Sequence, residues 1–495
     1  MWFIRMKIKL ESSAKKKTEL LCGFILEEAN KVLGLPKYDT KTTSTINQSI
    51  KDNGGKLGNL TIIPISGKKP AQRILLAGIG KKDKITNDTI RHVSGKIALK
   101  ARELKLKEFT IVAPPSFVKE ATSSVSQIVE GTKMSLYKFD KFKAEKEVIL
   151  PNLTIVSSKS TKVSKALKSS EIIADGAIFT KSIANLPPNE CSPSTLAGFA
   201  KTISNKNKMK CKIISKSELK RDGFGGITAV GQGSKNEPKL IIMEHNHGPK
   251  NKKPIVLVGK AVTFDTGGIS LKPGANMEEM KFDKCGGCTV LGIMKAVSEL
   301  ELPINAIGIV PSVENMPDGE SYRPGDIIKL YNGKTAEILN TDAEGRLILA
   351  DALAYGEKHY SPQAIIDFAT LTGACIVALG TNVAGMVSSD EKLAGKIFDS
   401  SKRTTEEVWQ LPLNQDYMDM IKSDVADMKN MGIGRAAGTI TAAAFLRNAV
   451  ENTPWAHLDI AGVAWTQTST KEKSYNPKGA TGFGVRLILD YLQKL

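Results

Sequence analysis

The chain has 495 residues, 41% hydrophobic and 24% charged, the composition of a soluble globular protein and too long for one ordinary core. No run of eighteen apolar residues occurs, which excludes a membrane-spanning helix. Six cysteines at this length are too few for a disulfide framework and predict free thiols in a reducing compartment.

The formal net charge of +19 is unevenly spread. Residues 1–170 hold 33 Lys and Arg against 15 Asp and Glu, a net of +18, whereas 171–495 hold 37 against 36, a net of +1. The excess belongs to the N-terminal third, as a lysine-rich solvated surface or as a patch for nucleic acid or another polyanion. Lysine far exceeds arginine there and no aromatic-interleaved motif accompanies it, which favours the solvated surface.

The first ten residues place Arg5, Lys7 and Lys9 inside their only apolar patch and have no small-residue cleavage site. They predict no secretory signal, a cytoplasmic protein, and Met6 as an alternative start to Met1. Residues 60–65, 73–80 and 109–113 read as strands, and 87–104 and 119–132 as helices, giving a small basic α/β domain over 1–165. Residues 157–170 are rich in Ser and Lys with almost nothing to bury, and read as a linker.

The second domain, 166–495, opens with a helix from Glu171 to Ala184 that Pro187 and Pro188 forbid from continuing. The near-continuous apolar runs at 240–243, 254–259, 304–310 and 364–369 predict a buried, mostly parallel central sheet flanked by helices. Ligands of such a sheet gather at the carboxyl ends of its strands. Just past the 254–259 run, a glycine-containing turn carries Lys260, Asp265 and Lys272, and Asp283 precedes a small-residue helix over 286–299.

Residues 340–353 then read as a polar, acidic loop entering a buried helix. Asp342 and Glu344 lie two apart, so extended backbone would point both carboxylates the same way, with Arg346 two residues further on. Hard oxygen ligands aimed at one spot call for a cation, and a metal is the first candidate. An Asp in a glycine-rich loop is ordinarily a turn or cap residue. Three such loops together bring Asp265, Asp283, Asp342 and Glu344 into one account, a site for two divalent cations.

Other polar features have plainer readings. Cys285 and Cys288 have the spacing of a redox or zinc pair but lack a second pair; they read as structural, with some oxidation sensitivity of the neighbouring site. His245 and His247 read as part of a turn, and His457 as a hydrogen-bonded core residue. The phosphate-binding pattern Gly-x-x-x-x-Gly-Lys-[Ser/Thr] is absent.

The chain closely resembles the leucyl aminopeptidases of the M17 family, the cytosol aminopeptidases. The resemblance rests on Asn340-Thr-Asp-Ala-Glu-Gly-Arg-Leu, Val258-Gly-Lys-Ala-Val-Thr-Phe-Asp-Thr-Gly-Gly and Met280-Lys-Phe-Asp, and on Ala369-Thr-Leu-Thr-Gly-Ala and His457-Leu-Asp-Ile-Ala-Gly. It covers 171–495 in order and is weaker before. It implies one metal held by Asp265, Asp342 and Glu344, and a second held by Lys260, Asp265, Asp283 and Glu344. Lys260 would act as a ligand only if two dications drive off its proton. The resemblance further implies that Lys272 stabilises the oxyanion and that Arg346 holds a bicarbonate acting as general base. Met280, Thr370 and Gly373 would shape an apolar pocket for the first side chain.

The implied activity is removal of an N-terminal residue, preferably leucine or another apolar one, from peptides with a free N-terminus. A water activated between two metals, Mn or Zn, would attack the first peptide bond. A homohexamer of two trimers is also implied. The Cys285/Cys288 pair departs from the residues usual in the family. The competing reading is a nucleic-acid-binding or regulatory protein acting through the basic N-terminal domain.

Overall fold

The computed structural model describes residues 6–14, 17–28, 32, 35–36, 38–65, 71–114, 120–145, 151–432, 434, 436–468 and 473–495. The alternative start is thus only partly covered, since residues 1–5 lie outside this set, as does residue 119 at the head of the expected 119–132 helix. Two compact units result, Met1–Ile178 with Gln467–Lys478, and Phe179–Thr466 with Gly479–Leu495.

The first unit is a six-stranded sheet in the order Ile8–Glu11, Asn152–Val156, Glu108–Val112, Thr18–Ile25, Ala71–Gly78, Leu60–Pro64. All neighbours are parallel except the last pair. The helices Asn87–Glu103 and Ala121–Leu136 pack closely: a Cβ on Gly131 would fall 2.0 Å from the Arg91 carbonyl oxygen. The returning segment 467–478 is tied in by Ser474, whose hydroxyl donates to the His92 carbonyl at 2.6 Å. The expected linker is a correction. From Thr161 onward it belongs to the helix Thr161–Ala184, because Val163 and Leu167, four residues apart, supply a buried face among the lysines and serines.

The second unit is built on a nine-stranded sheet. Its order is Glu407–Gln410, Val383–Ser388, Trp455–Asp459, Ala364–Ala369, Ile255–Gly259, Asn305–Asn315, Lys239–Asn246, Lys210–Ile214, with Ala261–Asp265 pairing the end of Asn305–Asn315. The central four strands, Trp455–Asp459 to Asn305–Asn315, are mutually parallel, and the strands that join them on either side run antiparallel. Three of the four are buried at every position, as apolar runs covered on both faces require. The helices Cys285–Glu299 and Gly345–Tyr360 are buried nearly all round over residues 285–298 and 345–356, the pattern of core helices. Among the described residues no helix is long and apolar enough to cross a membrane.

The Gly345–Tyr360 helix is fastened from inside. Asp351 is fully buried, and its carboxylate accepts the Ile227 N–H at 2.9 Å and the Tyr331 N–H at 2.8 Å. Replacing it by alanine leaves two buried donors unpaired. At ~1–3 kcal/mol for each, Asp351→Ala should cost about 2 to 6 kcal/mol, read as a lowered urea midpoint at unchanged m-value.

Candidate active site

The carboxyl ends of the parallel strands assemble the site, as the strand rule anticipates. Lys260 follows Ile255–Gly259, Asn315 ends Asn305–Asn315, Thr370 follows Ala364–Ala369, and Asp459 ends Trp455–Asp459. The Cys285–Glu299 helix starts against these ends because glycines allow it. A Cβ on Gly286 would meet the Phe368 carbonyl oxygen at 2.1 Å, and one on Gly259 would meet the Gly286 carbonyl oxygen at 2.4 Å. Backbone bonds seal the junction: Lys260 N–H donates to Phe368 at 3.0 Å, and Gly287 N–H to Lys260 at 2.7 Å.

Ligand atoms of Asp265, Asp342 and Glu344 all lie within 4.8 Å of one another. Extended backbone is not the reason. Residues 341–342 form a turn and Glu344 is already helical, at φ −78 and ψ −36. After Asp265, Gly267 and Gly268 at φ 86 and 66 reverse the chain. Thr341 then joins the two loops, its hydroxyl donating to the Gly267 carbonyl at 2.6 Å and accepting Ser270 N–H at 2.8 Å.

Two lysines stand among the carboxylates. The Lys260 ammonium pairs with Asp283 Oδ1 at 2.9 Å and Glu344 Oε1 at 2.8 Å, and donates to the Thr370 carbonyl at 2.9 Å. Burial alone would lower its pKa, but Asp283, Glu344 and Asp265 carry it above the ordinary lysine value. Lys272 pairs with Asp265 Oδ2 at 2.9 Å and with Asp342, and is raised likewise against the pull of burial. Burial, then Asp265 and Glu344, push Asp342 up to about 6 against the attraction of Lys272. Asp283 is also raised, by burial first.

The donor set fits divalent cations. Four carboxylates face two ammonium groups, a surplus of negative charge that hard cations neutralise. Asp283 Oδ2 is buried without a hydrogen-bond partner, although Oδ1 is engaged by Lys260 and by the Thr370 hydroxyl at 2.7 Å. Such an oxygen is costly unless something positive meets it.

Arg346 is 7% exposed, donates through Nη1 to the Asn430 carbonyl at 2.8 Å, and leaves Nε buried and unpartnered. Burial draws its pKa down to about 10, opposed by Glu344 and Asp459. Met280 lies in the short helix Met277–Phe282, and its main-chain carbonyl accepts the Asp283 N–H at 3.2 Å. Gly373 starts the helix Gly373–Leu379, and a Cβ there would meet nothing within 4 Å.

A match to a known family decides what this arrangement belongs to. Residues 178–489 match the catalytic-domain model of the cytosol aminopeptidase family, and 24–146 match its N-terminal-domain model. The chain belongs to the cytosol aminopeptidase family. A protein described as a probable cytosol aminopeptidase of Cenarchaeum symbiosum is 59% identical over 99% of both chains. One of the same description from Methylobacillus flagellatus is 43% identical over 90% of this chain and 89% of its own. The solved structure of the bottromycin maturation enzyme BotP in complex with Mn superposes with a TM-score of 0.84 at 28% identity, covering 96% of this chain and 99% of that one. This cytosol aminopeptidase family member is a metal-dependent aminopeptidase, a hydrolase of peptides.

Sequence reasoning passed over Asn315, Tyr322, Thr341 and Asn430. The Tyr322 hydroxyl donates to the Thr341 carbonyl at 2.7 Å, and Asn430 Oδ1 accepts Leu339 N–H at 2.8 Å. Asn315 was within reach of the strand-end rule and Thr341 sits inside the 340–347 motif; Asn430 carries no local signal. His457 is fully buried with Nδ1 2.6 Å from Asp367 Oδ1. His245 ends a strand instead of lying in a turn, with Nε2 2.9 Å from the Leu302 carbonyl oxygen. Cys285 and Cys288 are buried free thiols, raised in pKa by burial.

Gly345 makes room for Lys260: an added Cβ would lie 2.6 Å from Lys260 Cε and 2.7 Å from Nζ. The far end of a lysine moves easily, so Gly345→Ala should fold. It should nevertheless push the Lys260 amine off Asp283 and Glu344 and weaken divalent-cation binding about tenfold or more, as measured by calorimetric titration of metal-stripped protein.

Proposed function

We infer that the protein hydrolyses the first peptide bond of peptides with a free N-terminus, preferring leucine or another apolar residue, through a site for two divalent cations. The observation that carries this is the meeting of Asp265, Asp342 and Glu344 within 4.8 Å, beside the unpartnered Asp283 Oδ2. Asp265, Asp342 and Glu344 would hold one ion, and Lys260, Asp265, Asp283 and Glu344 the other, Mn or Zn. When bound, the ions would supply Lewis acidity toward water and the scissile carbonyl and a seat for the free α-amine, the source of exopeptidase register.

The chain's own groups take the remaining roles. Lys260 would serve as a neutral ligand, without the proton its carboxylate partners now favour, a change that adjacent cations would have to drive. Lys272, held protonated by Asp265 and Asp342, donates to the oxygen that gains charge at the scissile carbonyl. The buried, unpartnered Nε of Arg346 suits a small oxyanion; bicarbonate bound there would serve as general base. Met280, Thr370 and the open start of the Gly373–Leu379 helix would border the pocket for the first side chain.

Membership of a family of cytosol aminopeptidases supports a cytoplasmic setting. The homohexamer is part of the same reading, and sedimentation tests it.

Release of nitroaniline from leucine para-nitroanilide should be lost on chelation and restored by Mn²⁺ or Zn²⁺, with the N-acetylated substrate inert throughout. No turnover with either metal by folded protein would sink the proposal. Lys272→Ala should lower kcat by about 10²–10³, measured at saturating metal and substrate.

A further inference from the structure

We propose, on the basis of the metal-dependent reading above, that Asn315 is a positioning residue of the metal centre, directing Asp265 Oδ2 toward the cations and setting the spacing of the two ligand-bearing loops. Asn315 is 1% exposed, at the end of the strand Asn305–Asn315. Its amide nitrogen donates to Asp265 Oδ1 at 2.8 Å and to the Thr341 carbonyl at 3.1 Å, so both of its hydrogens go to the loops that carry Asp265 and Asp342. Its main-chain carbonyl accepts Thr266 N–H at 3.0 Å and the Thr266 hydroxyl at 2.8 Å.

The consequence lies in the lone pairs of Asp265. Oδ1 accepts both Asn315 and the Gly267 N–H at 2.9 Å, which uses that oxygen fully, and leaves Oδ2 facing Lys272. The side chain reads as an amide and not a carboxylate because both of its partners are acceptors. An Asp at 315 would set a fifth negative group against Asp265 and offer Thr341 no donor. The surroundings leave little freedom: a Cβ on Gly268 would come within 2.8 Å of Asn315 Oδ1.

The test uses full-length protein stripped of metal by chelation and titrated with Mn²⁺ by calorimetry, with thermal melting recorded in the absence and presence of Mn²⁺. Asn315→Leu keeps the branched shape without donors, and Asn315→Ala removes both shape and donors. The Mn²⁺ dissociation constant should rise about 10–100-fold in each folded variant, and the gain in Tm on adding Mn²⁺ should shrink. A residue with only a structural role would lower the metal-free Tm and leave the Mn²⁺ affinity and the Tm gain as in the wild type. That result, with affinity within about twofold in folded Asn315→Leu, overturns the proposal while the metal-dependent reading stands. Absence of stoichiometric Mn²⁺ binding by the wild type would overturn both.

Discussion

Three buried carboxylates, Asp265, Asp283 and Glu344, gathered with the part-exposed Asp342 around two lysines, are the constraint from which the rest of the second unit follows. Desolvation of an ionised group costs several kcal/mol even after the protein relaxes, and mutual repulsion adds to it, as the raised pKa values of Asp283 and Asp342 show. Lys260 and Lys272 offset part of the charge, and each makes at least two ion pairs with the cluster. A purely structural network would have been completed with further donors, yet one oxygen of Asp283 is buried without any. Buried groups left in that state are ordinarily waiting for a ligand.

Holding such a cluster demands backbone that comes unusually close, and this is where the glycines matter. Gly259, Gly286 and Gly345 each sit where a side chain would strike backbone or Lys260. They let the Cys285–Glu299 and Gly345–Tyr360 helices enter at the strand ends, so Asp283 and Glu344 arrive immediately before the first turns of rigid, buried elements. Loops supply Asp265 and Asp342, and those loops are stiffened by neutral hydrogen bonds through Thr341 and Tyr322 that add no charge to an already crowded site.

How much of this was readable in the sequence depended on the kind of signal. Buried parallel strands announce themselves as apolar runs, so 254–259 and 364–369 are legible, as are Asp265 and Asp283 beyond the first of them. Asp342 and Glu344 were paired for a reason that fails in the structure, since a turn and not extended backbone brings them together. The neutral residues that organise the loops were missed because an Asn or Tyr in a polar stretch has no periodicity or charge to mark it. The linker was misread because Val163 and Leu167 were outweighed by the serines and lysines around them. The return of 467–478 to the first unit depends on contacts across nearly four hundred residues, such as Ser474 with His92, which no local pattern records.

The two site lysines show how burial separates roles that charge alone would leave equal. Both are raised above the ordinary value by overlapping sets of carboxylates. The Lys260 side chain is 4% exposed, and all three hydrogens of its ammonium group are spent on Asp283, Glu344 and Thr370. It cannot reach a substrate without breaking that set, and cations competing for the same carboxylate oxygens would remove the partners that now favour its charged form. The Lys272 side chain is 21% exposed and follows the Gly267–Gly268 turn, pairing with one carboxylate oxygen on each of Asp265 and Asp342. If cations take over those two carboxylates, Lys272 is the ammonium group set free on the accessible side, charged and within reach of a carbonyl oxygen. The division of labour proposed above, an amine that binds metal and an ammonium that meets substrate, would thus follow from which lysine the fold encloses.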